Sequence, residues 1–260
     1  MKEKIVFFGA GPYVESVIET LGKEFDLVKV VSSKEEFTDE LINQLKSSGA
    51  KVAVLASFGQ IIPESVLNLF EFGIINIHPS LLPKFRGPTP VQSAILAGET
   101  TTGVCLMKLD AEIDHGPILV SIDQSIDSFD TAESLYKKLF EIGANALVEF
   151  LPKYISGELK PVEQNHDLAT YTEHLDRQSG FIDLNHESEI TNHGELERMV
   201  RAYYPWPGVW FKYNLNGVEK TIKLLPGEKI QVEGKNVMTF KDFINGYSEG
   251  KEILEKLELN

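Results

Sequence analysis

The sequence predicts an α/β fold, in which a Rossmann-like parallel sheet is followed by a small, mostly β domain. In the first part of the chain, short apolar runs of strand length alternate with segments of helical spacing. This alternation is typical of a doubly wound parallel sheet. In the last part, short apolar stretches are separated by Asn-Gly and Pro-Gly turns. Such turns indicate hairpins, and we expect a small OB-like barrel there.

The first strands and helices follow directly from the apolar periodicity. Four strands are expected at Lys4–Phe8, Leu27–Val31, Val52–Ala56 and Ile74–Ile77, with helices at Tyr13–Leu21, Glu35–Leu45 and Ile61–Phe70. The run at Val52–Ala56 is wholly apolar, as expected for a strand with both faces covered. Gly22 should end the first helix, and Pro63 should lie in the first turn of the third.

Further elements are expected after the proline-rich loop that begins at Pro79. These are the helices Val91–Leu96, Thr131–Pro152 and Glu195–Ala202, and the strands Val104–Leu109, Ile118–Ile122, Val209–Leu215 and Lys220–Leu225. The polar stretch Lys153–Leu168 is interpreted as a linker. It divides the chain into a domain at residues 1–160 and a second at residues 161–260.

Composition limits the classes of partner. The 260 residues include 25 basic and 39 acidic side chains, a net charge of −14. Proteins that bind nucleic acid through its phosphates usually have a basic domain, so any such partner must be held by a local patch. No apolar run approaches the length of a membrane helix. Cys105 is the only cysteine, which excludes an intramolecular disulfide and favours a cytoplasmic protein.

A glycine turn, Gly9-Ala-Gly11, follows the first strand and invites a dinucleotide interpretation. Val14 stands where the third glycine of that fingerprint should be, and no acidic residue ends the second strand. A tight turn at the start of a helix is therefore the better interpretation.

A sharper pattern lies at the end of the fourth strand. Asn76 and His78 are two residues apart, so in a strand both side chains project to the same side. Asp114 is expected in the next loop on the same edge of the sheet. An imidazole with a carboxylate partner can stabilise a developing oxyanion or move a proton, and an amide adds a second donor. No nucleophile elbow is present, so the pattern favours direct attack by the substrate's own nucleophile.

These residues belong to a longer pattern that resembles the folate-dependent formyltransferases. Its segments are Asn76-Ile-His-Pro-Ser-Leu-Leu-Pro-x-x-Arg-Gly87, Thr102-Gly-Val, Leu109-Asp-x-x-Ile-Asp-x-Gly116, Ser57-Phe-Gly-Gln-Ile-Ile-Pro63, Ala169-Thr-Tyr-Thr and Arg201-Ala-Tyr-Tyr-Pro-Trp-Pro207. The resemblance runs from about residue 5 to residue 225 and is greatest to the branch that acts on methionyl-tRNA. It implies that Asn76, His78 and Asp114 are catalytic and that the formyl donor is 10-formyltetrahydrofolate, with no metal.

The resemblance also implies contacts for both substrates. Folate contacts are expected at Ser80, Leu81, Leu82 and Pro83, at Gly59, Gln60, Ile61 and Ile62, and at Asp110. Candidate contacts to the amine substrate are Lys84, Arg86, Gly9 and Gly11. His115, beside Asp114, either tunes that carboxylate or is a solvent-facing loop residue.

Two acceptors of the formyl group stay open. Initiator methionyl-tRNA is the first. The tRNA enzymes resemble one another in a basic insertion after the second strand, however, and here Val31 is followed almost directly by a helical segment. The second acceptor is an amino-sugar nucleotide, which would explain the net negative charge. A non-catalytic folate-binding relative is a third hypothesis, against which the intact Asn76, His78 and Asp114 set argues.

Overall fold

The computed structural model describes residues 2–184 and 193–259. The chain forms two compact units that interleave along the sequence. The first comprises Met1–Pro90, Thr101–Ser125 and Tyr136–Glu173, and the second comprises Val91–Thr100, Ile126–Leu135 and His174–Asn260. The division of the chain at residue 160 stays a prediction.

The first unit is built on a six-stranded sheet. Its strands are β1 (Lys4–Gly9), β2 (Asp26–Val31), β3 (Val52–Ala56), β4 (Ile74–His78), β5 (Thr101–Lys108) and β6 (Ile118–Ser125). Its helices are α1 (Glu15–Glu24), α2 (Asp39–Ser47) and α3 (Glu64–Leu67). Helix α4 (Pro90–Leu96) lies in the second unit except for Pro90, and α5 (Ala132–Ile155) belongs to both units. A short 3-10 turn lies at His166–Leu168 in the first unit, and another lies at Arg177–Gly180 in the second.

The strand order is β2-β1-β3-β4-β5-β6. The first four strands are parallel, whereas β5 and β6 pair antiparallel with their neighbours. The Rossmann-like α/β prediction is confirmed, with the correction that the sheet is mixed rather than wholly parallel. The connection from β5 to β6 contains no helix, and a parallel pair would need a long crossover there.

Helices cover both faces of this sheet. Leu41 and Leu45 of α2 join Val6 and Phe8 of β1 in a buried cluster on one face. On the other face, α5 approaches β4 so closely that a Cβ on Gly143 would lie 2.3 Å from Cγ2 of Ile77. Because side chains alternate along a strand, Asn76 and His78 point away from Ile77. The polar pair therefore lies on the face opposite to α5.

Several helix boundaries differ from the predicted ones. α2 begins at Asp39 because the Thr38 side chain caps it, accepting a hydrogen bond from the Leu41 N–H. α1 continues through Gly22, since a single glycine lowers helix stability without ending the helix. α3 is only four residues long and has Pro63 at its N-cap, outside the helix. α5 continues through Pro152 to Ile155.

The second unit contains a separate antiparallel sheet, so the predicted β sheet in the second part is confirmed. Its elements are α6 (His193–Ala202), β7 (Val209–Leu215), β8 (Val218–Leu225), β9 (Lys229–Val232), β10 (Met238–Thr239), α7 (Phe240–Gly246) and α8 (Gly250–Lys256), with sheet order β10-β9-β8-β7. The described strands form an open sheet with β10 and β7 at its edges, instead of the expected OB-like barrel. Asn216 and Gly217 both have positive φ, as a tight hairpin turn between β7 and β8 requires. The elements β9, β10, α7 and α8 lie outside those that were predicted.

None of the helices in the described residues has the length and apolar character that crossing a membrane would require.

Two helical glycines test the packing of the first unit. Gly143→Ala should lower the free energy of unfolding by about 1–3 kcal/mol, because the new methyl group overpacks the contact with Ile77. Gly22→Ala in α1 meets no atom within 4 Å and should raise it by about 0.5–1 kcal/mol. Urea unfolding monitored by circular dichroism measures both. Equal stability of the two variants would contradict the close contact between α5 and β4.

Candidate active site

The end of β4 presents two polar side chains to the interior of the first unit. Asn76 is 6% exposed and His78 is 3% exposed, although both are polar. Buried polar groups require hydrogen-bond partners, since losing water without replacement costs free energy. Both side chains find such a partner in the same carboxylate.

Asp114 joins the pair. Its Oδ1 lies 3.3 Å from Nδ2 of Asn76 and 3.4 Å from Nδ1 of His78. Its Oδ2 accepts a hydrogen bond of 2.8 Å from the backbone N–H of Gly87, in the loop after β4. The carboxylate thus links its own loop to β4 and to the loop that follows β4. The structure brings together the three side chains that the sequence predicts to be catalytic, while their catalytic role stays a prediction.

The route by which Asp114 arrives differs from the prediction. β5 runs antiparallel to β4, with Lys108 opposite Ile75 and Cys105 opposite His78. The loop after β5 therefore leaves the sheet at the edge where β4 begins, not at the edge where His78 lies. Asp114 meets Asn76 and His78 because its loop folds over the face to which both side chains point. The prediction that the Asp114 loop lies at the same edge of the sheet as His78 is wrong, although the predicted proximity of the side chains holds.

The local environment of Asp114 favours its ionised form. Burial raises the pKa of this carboxyl, but the charge and hydrogen bond of His78, the Gly87 N–H and the charge of Arg86 together hold the pKa below its usual value. The backbone of Asp114 has φ = 48°, in the left-handed region that non-glycine residues rarely adopt. Such a conformation persists only where surrounding contacts fix it.

His78 lies between two hydrogen-bond acceptors. Its Nε2 is 3.1 Å from the carbonyl oxygen of Phe85, and its Nδ1 faces the carboxylate of Asp114. A carbonyl and a carboxylate only accept hydrogen bonds, so each ring nitrogen of His78 faces an acceptor. These two contacts fix the orientation of the imidazole.

The predicted folate segment after β4 folds onto the face that carries Asn76 and His78. Ser80 is fully buried, and its hydroxyl donates a 2.7 Å hydrogen bond to the Lys84 carbonyl. Leu82 packs with Cys105 and Met107 of β5, and a cis peptide bond joins Leu82 to Pro83. A Cβ on Gly103 would lie 2.5 Å from Cδ2 of Leu81. This segment is therefore shaped by internal packing.

The other predicted folate positions differ in exposure. In the loop after β3, Gly59 has φ = 73° and the Gln60 side chain donates to the Ser33 carbonyl. Ile61 is 88% exposed, whereas Ile62 belongs to the buried cluster with Phe8. Because β3 and β4 are parallel neighbours, this loop lies at the edge of the sheet where His78 ends β4.

Asp110 and His115 form a pair in the loop that carries Asp114. Nδ1 of His115 is 2.7 Å from Oδ2 of Asp110, and the His115 ring stacks on that of His166 at 4.0 Å between centroids. His115 is therefore a partly buried residue with specific partners. The role of Asp110 as a folate contact stays a prediction.

The candidate amine-substrate contacts lie in unlike environments. Lys84 is exposed, whereas Arg86 is only 1% exposed. The guanidinium of Arg86 donates to Oε1 of Gln164 from Nε at 3.2 Å and from Nη2 at 2.7 Å. It also contacts Nδ1 of His166 at 2.8 Å and the Tyr171 hydroxyl at 3.3 Å. This burial favours a structural role for Arg86 over the predicted contact with substrate.

The two glycines after β1 also differ. A Cβ on Gly9 would lie 2.7 Å from the Ala56 carbonyl, so close approach of β1 to β3 explains this glycine. Gly11 is exposed and has φ = 101°, as the turn before α1 requires. Their predicted part in substrate binding stays a prediction.

Sequence reasoning missed three residues of this site, namely Gln164, His166 and Tyr171. They lie in or just after the stretch interpreted as a linker. The one available signal was the motif that begins at Ala169. Its backbone pairs with the loop after β4, since Arg86 N–H donates to Thr170 and Thr172 N–H donates to Arg86.

Within residues 2–184 and 193–259, no three His, Cys, Asp or Glu side chains come together in a way that could hold a metal ion.

The ionisation of Asp114 leads to a test of stability against pH. A carboxyl whose folded-state pKa is lowered adds stability above its unfolded pKa of about 3.9, and that stability is lost as pH falls through the folded value. The difference in unfolding free energy between the wild type and Asp114→Asn should therefore shrink as pH falls from about 6 to about 3. Urea unfolding at several pH values measures it, with Glu19→Gln on exposed α1 as the control for charge loss. A difference that stays constant over this range would contradict the assignment.

A family model described as formyl transferase matches residues 4–151, which contain the whole of β1 to β6 and the Asn76, His78 and Asp114 set. The match therefore covers more than half of the chain.

Curated relatives point to the same family. The chain is 44% identical over 170 residues to a methionyl-tRNA formyltransferase of Chloroflexus aurantiacus, covering 65% of this chain and 53% of the relative. It is 35% identical over 237 residues to the enzyme of the same name from Myxococcus xanthus, covering 81% and 74%. The chain thus spans about half the length of the first of these relatives.

Solved structures share the fold at low sequence identity. A sugar N-formyltransferase from a Shewanella species superimposes with a TM-score of 0.67 at 18% identity, covering 86% of this chain and 98% of the other. HypX from Aquifex aeolicus, in complex with tetrahydrofolic acid, gives 0.67 at 19% identity, covering 86% and 37%. At these identities the likeness shows the fold alone. From the family model and the relatives together, the chain belongs to the formyl transferase family.

Proposed function

We propose that this chain transfers the formyl group of 10-formyltetrahydrofolate to the free amino group of initiator methionyl-tRNA. One observation carries the catalytic part of the proposal. A buried amide and a buried imidazole lie side by side against one carboxylate, within the region that the formyl transferase model matches. This donor set fits a carbonyl oxygen that gains negative charge.

The donor, when bound, supplies an electrophilic formyl carbon. Asn76 and His78 hold N–H groups toward the formyl oxygen and stabilise the negative charge that develops on it as the amine attacks. The bond from the amine nitrogen to the formyl carbon forms, and the bond from that carbon to the folate nitrogen breaks. Asp114 keeps His78 oriented and protonated, and it helps to move the proton lost by the amine to the folate nitrogen, which leaves in its protonated form.

In this scheme, one hydrogen bond to the loop after β4 must change. Nε2 of His78 donates to the Phe85 carbonyl at 3.1 Å. When that nitrogen serves the formyl oxygen, the Phe85 carbonyl must share the N–H or withdraw from it. Phe85 has φ = 60°, in the left-handed region, so the carbonyl lies on a strained part of the backbone.

Support for the folate donor comes from two sources. The motifs around Asn76 and Asp114 resemble those of folate-dependent formyltransferases. A protein of the same fold is described with tetrahydrofolic acid bound. In this chain, the exposed side chain of Ile61 lies in the loop next to the end of β4 and offers an apolar surface for the pterin ring.

Support for methionyl-tRNA as acceptor comes from the relatives. The alignment with the Myxococcus xanthus enzyme covers 81% of this chain and so extends beyond the residues that the formyl transferase model matches. The partner of this chain would then be initiator methionyl-tRNA, and its location would be the cytoplasm. Both the partner and the location stay predictions.

An amino-sugar nucleotide is the second candidate acceptor, and charge favours it. The net charge of −14 suits a large polyanion poorly. α2 begins at Asp39, soon after β2 ends at Val31, so the connection has no room for a long basic insertion. Among the structural neighbours, a sugar N-formyltransferase has the same fold.

An acceptor assay separates these candidates. With 10-formyltetrahydrofolate as donor, we expect the purified chain to formylate charged initiator methionyl-tRNA, measured by acid gel electrophoresis. Amino-sugar nucleotides under the same conditions should give no product by mass spectrometry. Product from the sugar nucleotides alone would reject methionyl-tRNA as the acceptor and leave formyl transfer in place.

Substitution of the site tests the chemistry. His78→Ala and Asp114→Ala should each lower turnover by roughly 100-fold or more, because each removes an oxyanion or proton-transfer partner. His174→Ala, at an exposed histidine of the second unit, is the matched control and should keep wild-type turnover. Near-normal turnover in both site variants would remove the catalytic assignment.

A further inference from the structure

Gln164 is a buried amide that uses all of its hydrogen-bonding capacity within the first unit. It is 7% exposed. Its Oε1 accepts two hydrogen bonds from the guanidinium of Arg86. Its Nε2 donates to the backbone carbonyl of Asp114 at 2.9 Å and to that of Gly116 at 2.7 Å. An amide that makes four bonds in a buried site has its position and orientation fixed.

The two carbonyls that Gln164 holds belong to the loop that presents the Asp114 carboxylate. Asp114 has a left-handed backbone, and such a conformation requires external support. Gly116 is packed so tightly that a Cβ there would lie 2.0 Å from the Lys108 carbonyl. Gln164 therefore fixes the loop on both sides of His115, and the direction of the Asp114 side chain follows from that backbone.

The segment that carries Gln164 is itself anchored to the sheet. Val162, two residues earlier, exchanges both backbone hydrogen bonds with Ile118 at the start of β6, each 2.8 Å long. Gln164 thus approaches the Asp114 loop from a fixed backbone. Through Arg86 it also reaches the loop after β4, whose Gly87 N–H binds the other oxygen of Asp114.

We propose that Gln164 is a positioning residue for formyl transfer. It clamps the backbone of the Asp114 loop and ties that loop to Arg86, so that the Asp114 carboxylate meets Asn76 and His78 together. The expected effect of Gln164 on kcat rests on the proposed function. Its expected effect on the position of the Asp114 loop rests on geometry alone. Gln164 touches neither Asn76 nor His78 in the contacts described above, and it acts through Asp114.

Two variants separate the roles of the amide. Gln164→Glu keeps oxygen acceptors for Arg86 but replaces the two N–H donors with an atom that repels the Asp114 and Gly116 carbonyls. Gln164→Met removes both functions without adding charge. Gln44→Glu, the same chemical change at an exposed position of α2, is the matched control and should keep the wild-type kcat.

The first readout is kinetic. In both Gln164 variants kcat should fall roughly 100-fold, because a displacement of about 1 Å in a catalytic group costs that much. The KM for the folate donor should stay within about threefold, since Gln164 lies behind Asp114 rather than at the donor. A kcat of Gln164→Glu close to that of the wild type would overturn the proposal.

The second readout needs no substrate. The Gly87 N–H donates to Asp114 Oδ2, so its amide resonance in ¹H–¹⁵N NMR should titrate with that carboxyl. The titration midpoint should move to higher pH in Gln164→Met, because the contacts that favour the carboxylate weaken while burial remains. An unchanged midpoint would overturn the proposal even if kcat falls, because the loss would then arise elsewhere.

The two readouts also distinguish this inference from the proposed function. If the wild type formylates neither methionyl-tRNA nor an amino-sugar nucleotide, the proposed function fails. The Gly87 titration then decides by itself whether Gln164 positions Asp114. If Gln164→Met does not fold, Gln164→Glu carries the test, because it retains the acceptor for the buried guanidinium of Arg86.

Discussion

The candidate site of the first unit depends on one carboxylate that is mostly shielded from solvent. Removing a charged group from water is costly unless donors replace the lost hydration. Three groups replace the lost hydration of the Asp114 carboxylate. They are the side chains of Asn76 and His78 in β4 and the Gly87 N–H in the loop that follows. These donors must converge on one point. This requirement constrains the conformation of the loop after β4 and of the loop that carries Asp114. The left-handed backbone at Asp114 and Phe85 and the positive φ at Gly87 lie around this point.

A second buried charge supports the first. The guanidinium of Arg86 is almost wholly removed from solvent, yet its described hydrogen-bond partners, Gln164, His166 and Tyr171, include no carboxylate. Its positive charge lowers the pKa of Asp114, although no ion pair joins the two side chains directly. The hydrogen bonds to Gln164 thus fix a guanidinium whose charge favours the Asp114 carboxylate. These hydrogen bonds also explain why a stretch of polar sequence after α5 is an ordered part of the first unit.

Under the proposed function, the two substrates are specified unequally. The contacts that suit a formyl carbonyl lie within one unit, in the region that the formyl transferase model matches. The choice of acceptor would depend on surface charge as well. An acidic chain with a short connection after β2 has fewer ways to hold a polyanion than a basic one. Acceptor choice is therefore the property in which this chain can differ most from its named relatives.

The sequence by itself determined the α/β class, the order of most elements and the residue types of the site. These features are encoded locally, in apolar periodicity, in turns such as Asn216-Gly217 and in the two-residue spacing of Asn76 and His78. Only the tertiary structure decided that β5 runs antiparallel, so that Asp114 reaches His78 over the face of the sheet. It also decided that Arg86 is internal and that Gln164 supports the Asp114 loop. Those contacts join residues 38 to 78 positions apart, and no local pattern marks a hydrogen bond between residues so distant in the chain.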